Sequence, residues 1–506
     1  MLRCSPASRR LLAASRPRVA PCKPSSRRGQ LYSTDTGGGD GPGFTRRTRF
    51  IGFAVVGGAL VWYASRKRRV TVAERHHERS RRDNELPEIS GEDADGPVES
   101  PVKVVDWSEI ASLIHKQATS FKFEGRNGAQ GRIDAVRFES NSPTEDAWAV
   151  GVGAGVGGAK TVYAGVYDGH AGWACSAVLR QKLIPHVSAM LAPLSPNVAG
   201  AAIDDAIKKA FCRLDDQIMT AGRDSVTDST EPWTAAAMSA LAPAIAGSCA
   251  LMTIYDTETS TLRTAVTGDS RAVLGSWSAS AKAYTAEALS KDQTGFNSDE
   301  VARLDAAHPG EKDAILDPKT GRLMGLAVTR AFGDHRWKYP QELVTLIQHR
   351  FAGYGPRKAN ATPPYLTARP EVTTRQVQGD DFVILASDGL WDVISNDDAV
   401  ACVSQWLKEK RKRSGGKRGG GGGGGGGGAK ADWNYDEDGW PSYKATPEYF
   451  DFEDTGNAAV CLLRNALGGT RRGIVQGLAT ATTPLSRNVR DDITIQVIFF
   501  KDPHRK

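Results

Sequence analysis

Cysteine is sparse and unpatterned in this 506-residue chain: Cys4, Cys22, Cys175, Cys212, Cys249, Cys402 and Cys461 are odd in number and scattered, with no CxxC pair. Neither a disulfide scaffold nor a zinc site follows. Acidic residues are missing from the first 34 positions, which carry eight Lys/Arg with Ser and Ala between them. That is the composition of a mitochondrial presequence. A basic excess is missing from the rest: residues 1–82 hold 19 Lys/Arg against 4 Asp/Glu, leaving 46 against 54 elsewhere, so the net charge of +7 belongs to the front. A nucleic-acid partner needs basic residues grouped on the folded part, so that class is set aside, a metal-dependent nuclease with it. Long apolar runs are also rare. The one that stands out is FIGFAVVGGALVWYAS, residues 50–65, bracketed by Arg46, Arg47 and Arg49 on one side and by Arg66, Lys67, Arg68 and Arg69 on the other. As a helix it would span about 24 Å, short of the roughly 30 Å hydrocarbon core, yet with Trp62 and Tyr63 at its edge it reads as a membrane anchor.

Glycine is abundant, at 54 residues, and residues 415–428 read GGKRGGGGGGGGGG, from which no packed element can be built. The expected organisation is therefore a presequence and basic segment (1–49), the anchor (50–65), a polar linker (66–104) and one folded domain (105–503) with a disordered surface insertion near 405–450. Within the domain, residues 199–219 place Ile203, Ile207, Phe211, Leu214 and Ile218 on one helical face, the ordinary mark of core packing. Apolar, β-favouring runs at 161–167, 249–255, 262–267, 381–386 and 493–500 are the expected strands.

Carboxylates recur at the ends of those strands. TVYAGVYDGH reaches Asp168, LRTAVTGDSR reaches Asp269, DFVILASDGLWD reaches Asp388 with Asp392 four residues on, and the last strand starts from Asp491 and Asp492. One Asp-Gly after a strand is usually just a turn. Four such edges meeting in space would repel unless cations or protons neutralised them. Hard oxygen ligands without Cys or clustered His suit Mg²⁺ or Mn²⁺, and a pair of such ions can activate a water and orient a phosphate ester. Gly169 would let a backbone carbonyl approach a cation, and His170 titrates in the range a proton donor to a leaving oxygen needs. The alternative for His170 is a surface turn histidine.

The stretches EDAWAV (145–150), VYDGHAG (166–172), GSCA (247–250), TGDSRAVL (267–274), LAVTRAFGD (326–334), ASDGLWDVIS (386–395) and RDDITI (490–495) resemble, in order, the motifs of the metal-dependent PPM-type (type 2C) serine/threonine protein phosphatases. The resemblance implies an α+β fold, two antiparallel β-sheets packed as a sandwich with flanking helices, and a centre of two Mg²⁺ or Mn²⁺ ions at one edge. Carried over by motif, Asp168 would bridge both ions, Gly169 would give its carbonyl to one, and Asp388 and Asp491 would ligate the other. Glu145 and Asp146 would hold metal-bound water, and Asp269 and Asp392 resemble the lining of a third, weaker metal position. His170 matches the general acid, while Asp492 is structural. RFESNSPTED, DGHAGWACS, LSKDQTGFNSDEVARLDAAHPGE and PPYLTARPEV resemble the pyruvate dehydrogenase phosphatase branch, whose members act on the E1α subunit of a mitochondrial complex.

Several residues depart from the pattern. Asn141 stands where most of the wider family has a phosphate-gripping arginine, as in that branch, and Arg330 or Arg137 is offered to supply the charge, since an amide binds phosphate less strongly than a bidentate guanidinium. Gln293 replaces a usual histidine, the glycine-rich insertion is foreign to the branch, and a membrane segment is not general in it. An anchor at 50–65 with its amino end in the matrix would place the domain in the intermembrane space, away from a matrix complex. The expectation is thus a mitochondrial phosphatase acting on a phosphoprotein, pyruvate dehydrogenase among the candidates, at the inner membrane and without nucleic acid. The competing expectation is a catalytically silent scaffold that binds a phosphoprotein.

Overall fold

The computed structural model describes residues 105–228, 231–414, 434–435 and 441–505. The presequence, the apolar run 50–65, the linker and the polyglycine tract lie outside the described residues. Among the described residues no helix is long and apolar enough to cross a membrane.

In chain order the strands are β1 (Thr119–Glu124), β2 (Gln130–Phe138), β3 (Ala147–Ala154), β4 (Lys160–Tyr167), the two-residue β5 (Gly169–His170) and β6 (Gly247–Ser248), β7 (Ala250–Asp256) and β8 (Thr261–Thr267). They continue with β9 (Arg271–Ser278), β10 (Ala283–Ala288), the short β11 (Phe332–Gly333), β12 (Glu371–Gln376), β13 (Phe382–Ala386) and β14 (Ile493–Phe499). Antiparallel pairing gives a six-stranded sheet in the order β1-β2-β14-β13-β9-β10 and a five-stranded sheet in the order β12-β8-β7-β4-β3. This is the α+β sandwich expected from the motifs.

Period-two alternation explains why the strands read as unbroken apolar runs. Successive side chains point to opposite faces, and here both faces are covered. On β4, Val162, Ala164 and Val166 enter the core between the sheets, while Tyr163 and Tyr167 enter a second core under helices. On β13, Val383 and Leu385 face the other sheet, whereas Phe382, Ile384 and Ala386 face helices on the far side. Burying one such aliphatic side chain stabilises the fold by about 1.5–3 kcal/mol, so a one-residue slip in register is strongly disfavoured.

Helices cover the outer faces. Helices α1 (Ala174–Leu191) and α2 (Gly200–Thr227) pack on the five-stranded sheet, and the expected stripe Ile203, Ile207, Phe211, Leu214 and Ile218 is buried there. The α2 pattern runs eight residues beyond the expected end, through buried Val226. Helices α3 (Asn396–Ser414) and α4 (Ala458–Ala466) cover the six-stranded sheet. The expected insertion is therefore narrower than residues 405–450. Trp406 and Leu407 are core residues of α3, with Trp406 stacked on Phe499 at 5.7 Å, and beyond the insertion Tyr443 and Ala445 are buried. The polar run after Leu407 suggested a loop because it carries no apolar residue, although Trp406 and Leu407 just before it fix that helix by packing.

Candidate active site

The sandwich gathers strand ends from both sheets at one edge. Asp168 follows β4, Asp269 follows β8 through Gly268, and Asp388 follows β13 through Ser387. Gly268 has φ +104°, a region that favours glycine, and this turn aims Asp269 inward. One carboxylate oxygen from each of Asp168, Asp269 and Asp388 lies within 4.8 Å of the others. Oδ2 of Asp168 is buried and has no hydrogen-bond partner. Burial first, then the charges of Asp388, Asp146 and Asp269, push Asp168 well above the usual carboxylate range. Burial and then the charge of Asp388 push Asp269 and Asp392 up to about 7. Asp146 is also raised to about 7, by burial and then by Asp492. Burial raises Asp388 as well. A group of hard oxygens that repel each other, with an orphaned buried oxygen among them, fits a divalent cation such as Mg²⁺ or Mn²⁺.

One side chain gathers most of the neighbouring loop's backbone N–H groups. Asp492 accepts from the backbone N–H groups of Ser140, Asn141, Glu145 and Asp146 and from the Thr144 hydroxyl. That is a positioning role, in keeping with the structural reading of this residue. The loop presents Glu145, whose carboxylate accepts from Gly172 N–H at 2.6 Å and from Asn141 Nδ2 at 2.8 Å. Asp146 accepts from the Ser387 hydroxyl at 2.9 Å. Gly169 has a steric reason that the sequence did not reveal: a Cβ there would lie 2.3 Å from the Glu145 carbonyl oxygen.

His170 is placed by a miniature sheet in the order β11-β6-β5, in which Gly247 pairs with His170 on one side and Gly333 on the other. Asp334 follows Gly333, and its Oδ2 lies 2.7 Å from His170 Nε2. A Cβ on Gly247 would fall 2.0 Å from that nitrogen and 2.3 Å from that oxygen, so the small residue between the strands makes room for the pair. Burial works against the imidazolium, but the charge and hydrogen bond of Asp334, with Asp269 and Glu145, outweigh it and the His170 pKa is raised. Asp334 was missed as a functional residue in the sequence. Its signal was present, a Gly-Asp at the end of LAVTRAFGD, but nothing local linked it to a histidine 164 positions away.

Other expected residues are placed elsewhere. Arg330 is buried and committed: Glu300 takes its Nε and Nη2, Glu371 takes Nη2 at 2.8 Å, and the Arg369 carbonyl takes Nη1 at 2.7 Å. It is not open to a phosphate, and the expectation is corrected on that ground. Arg137 donates to Gln117 and to the Asp146 carbonyl, each at 2.7 Å. The Asn141 amide is engaged with Glu145. Asp491 is ion-paired with Arg487 and is not one of the three grouped carboxylates. Gln293 sits behind the Asp269 turn, accepting from Gly268 N–H at 2.7 Å.

Comparison with known proteins agrees with this geometry. The family model for protein phosphatase 2C matches residues 143–415. A protein phosphatase 2C homolog of Schizosaccharomyces pombe is 36% identical over 380 residues, covering 73% of this chain and 80% of that protein. The mitochondrial pyruvate dehydrogenase phosphatase 1 of Saccharomyces cerevisiae is 31% identical over 443 residues, covering 79% and 74%. Human pyruvate dehydrogenase phosphatase 2 is 27% identical over 440 residues, covering 73% and 78%. With grouped carboxylates at the sheet edge, a histidine held beside them and matches of this extent, the chain belongs to the protein phosphatase 2C family.

Proposed function

We propose that this protein serine/threonine phosphatase removes phosphate from a mitochondrial phosphoprotein, and that its substrate is the E1α subunit of pyruvate dehydrogenase. The observation that carries the chemistry is the grouping of one oxygen each from Asp168, Asp269 and Asp388 within 4.8 Å, with Asp168 Oδ2 buried and unpartnered and His170 two residues further along the chain. The substrate and the mitochondrial location rest on the named relatives in yeast and human and on the presequence composition of the first 34 residues.

Cations held by Asp168, the Gly169 carbonyl, Asp388 and Asp491, with Asp269 and Asp392 at a further position, would supply acidity for the attacking water and neutralise the phosphate charge. Glu145 and Asp146 orient that water by accepting its hydrogen bonds; Glu145 is fixed for this by Gly172 and Asn141. His170 donates its proton to the departing seryl or threonyl oxygen. Asp334 holds the ring and favours its protonated form, because the pair raises the imidazole pKa.

The test is hydrolysis of an E1α phosphopeptide by the purified chain with Mn²⁺ or Mg²⁺. Activity must be lost in excess chelator and in Asp168→Asn. Full activity in either condition refutes the reading, and preference for unrelated phosphopeptides refutes the substrate. Protease protection in intact and swollen mitochondria tests the location, and carbonate extraction tests residues 50–65 as an anchor.

A further inference from the structure

A phosphomonoester entering a ring of carboxylates needs a cation that is free to follow it. The guanidinium groups around this edge are mostly committed. Arg137 is tied to Gln117 and the Asp146 carbonyl, and Arg330 to Glu300 and Glu371. Arg271 is tied to Asp292 and Asn396, and Arg490 to the carbonyls of Leu478 and Glu139.

Arg487 differs from them. It stands on the five-residue helix Leu485–Val489, its side chain is 41% exposed, and its ion pair is with Asp491, a carboxylate of the proposed centre. The helix cannot drift from the site. Ser486 donates its hydroxyl to the Ser140 carbonyl at 2.6 Å, and Asp492 grips the N–H groups of Ser140 and Asn141. Arg487 is thereby fixed beside the loop that carries Asn141 and Glu145, where the local amide is already engaged.

We propose that Arg487 binds the phosphate oxygens of the substrate, and that its pairing with Asp491 is the resting half of an exchange. A part-exposed ion pair between Arg487 on the helix and Asp491 just beyond its end contributes little and is easily given up. When a divalent cation takes the Asp491 oxygens, the guanidinium loses its partner and faces like charge. An anion between the two relieves that repulsion, and a phosphate offers a guanidinium two oxygens at the right spacing. Arg487 thus competes weakly with the cation in the resting protein and joins the substrate in the loaded one.

This rests on the phosphatase reading, and one set of measurements separates the two. Wild-type protein, Arg487→Gln and Arg487→Lys are compared for Mn²⁺ binding by calorimetry without substrate, for inhibition by inorganic phosphate, and for KM and kcat on a phosphopeptide. The expected result for Arg487→Gln is Mn²⁺ binding as tight as wild type or tighter, with KM and the inhibition constant of phosphate each raised about tenfold. Arg487→Lys keeps the charge but loses the fork, and falls between. Unchanged phosphate inhibition in Arg487→Gln overturns the proposal. So does a parallel loss of Mn²⁺ and phosphate binding, which marks a merely structural contact. An inert wild type overturns the phosphatase reading instead. Should Arg487→Gln lower the melting temperature, the ratio of phosphate to Mn²⁺ affinity in Arg487→Lys decides in its place.

Discussion

Carboxyls at two places in this protein behave in opposite ways. Asp168, Asp269 and Asp388 face each other at the sandwich edge and are all pushed up. Glu300, a buried glutamate, is pushed down: burial alone would raise it, but hydrogen bonds and charge from Arg330 and Arg303 outweigh that. The difference lies in the partner rather than in the depth. Glu300 has its cations within the chain and belongs to the scaffold, whereas the Asp168 group must take its cations from solution. Unneutralised carboxylates are unfavourable in the folded state until an ion arrives, which is how a scaffold stores an affinity for metal.

The contrast is broken most sharply by removing one acid of the first place and the cation of the second. Asp168→Asn is expected to lower Mn²⁺-dependent phosphopeptide hydrolysis by at least about 10³-fold, the scale of charge stabilisation a metal centre supplies, while the chain stays folded by circular dichroism. Arg330→Ala is expected to destabilise the protein by up to about 3–5 kcal/mol in urea unfolding, because it takes from buried Glu300 the guanidinium that neutralises it and leaves only Arg303. Any activity it loses should follow the unfolded fraction.

A smaller effect separates holding a proton from donating it. Asp334→Asn is expected to lower kcat/KM by about 10–100-fold, as loss of an orienting partner does. His170 has a raised pKa in the folded protein, so its protonated form persists to higher pH than free imidazole. Removing Asp334 should therefore move the basic limb of the pH–rate profile downward. A limb that stays in place would sink the assignment of His170 as the acid held by Asp334.

The smallest effect is on stability without metal. Carboxyls whose folded pKa exceeds the unfolded value oppose folding once they ionise. In chelator, stability should fall as pH rises from about 4 toward 7, by about 1.4 kcal/mol per pH unit for each proton the native state retains in excess. Mn²⁺ should remove that slope, and Asp168→Asn should make it shallower. For Glu300 the sign is reversed, and its contribution is lost as pH falls through its depressed folded pKa.

Much of this was legible in the chain because it is local. A strand with two buried faces is apolar throughout, and a strand that ends in a tight turn announces itself with Gly and Asp; the turns before Asp168, Asp269 and Asp388 were found in that way. The pairing of His170 with Asp334 was not legible, nor the need for a bare Gly247 between them, since both depend on three short strands meeting across the fold. Arg330 was misjudged for the same reason: a guanidinium looks alike in sequence whether it faces a buried glutamate or open solvent. The end of helix α3 was assigned to the insertion because the charged run after Leu407 hid the helix in which Trp406 packs.

The chain alone determined the order of its strands and turns, the confinement of the basic excess to the first 82 residues, and which acids stand at strand ends, since each follows from composition or from neighbours a few positions apart. Only the tertiary structure decided which of those acids share one space, which arginines are neutralised and which histidine acquires a carboxylate. Electrostatic interactions fall off over a few ångströms, and distance in space is set by packing rather than by position in the chain.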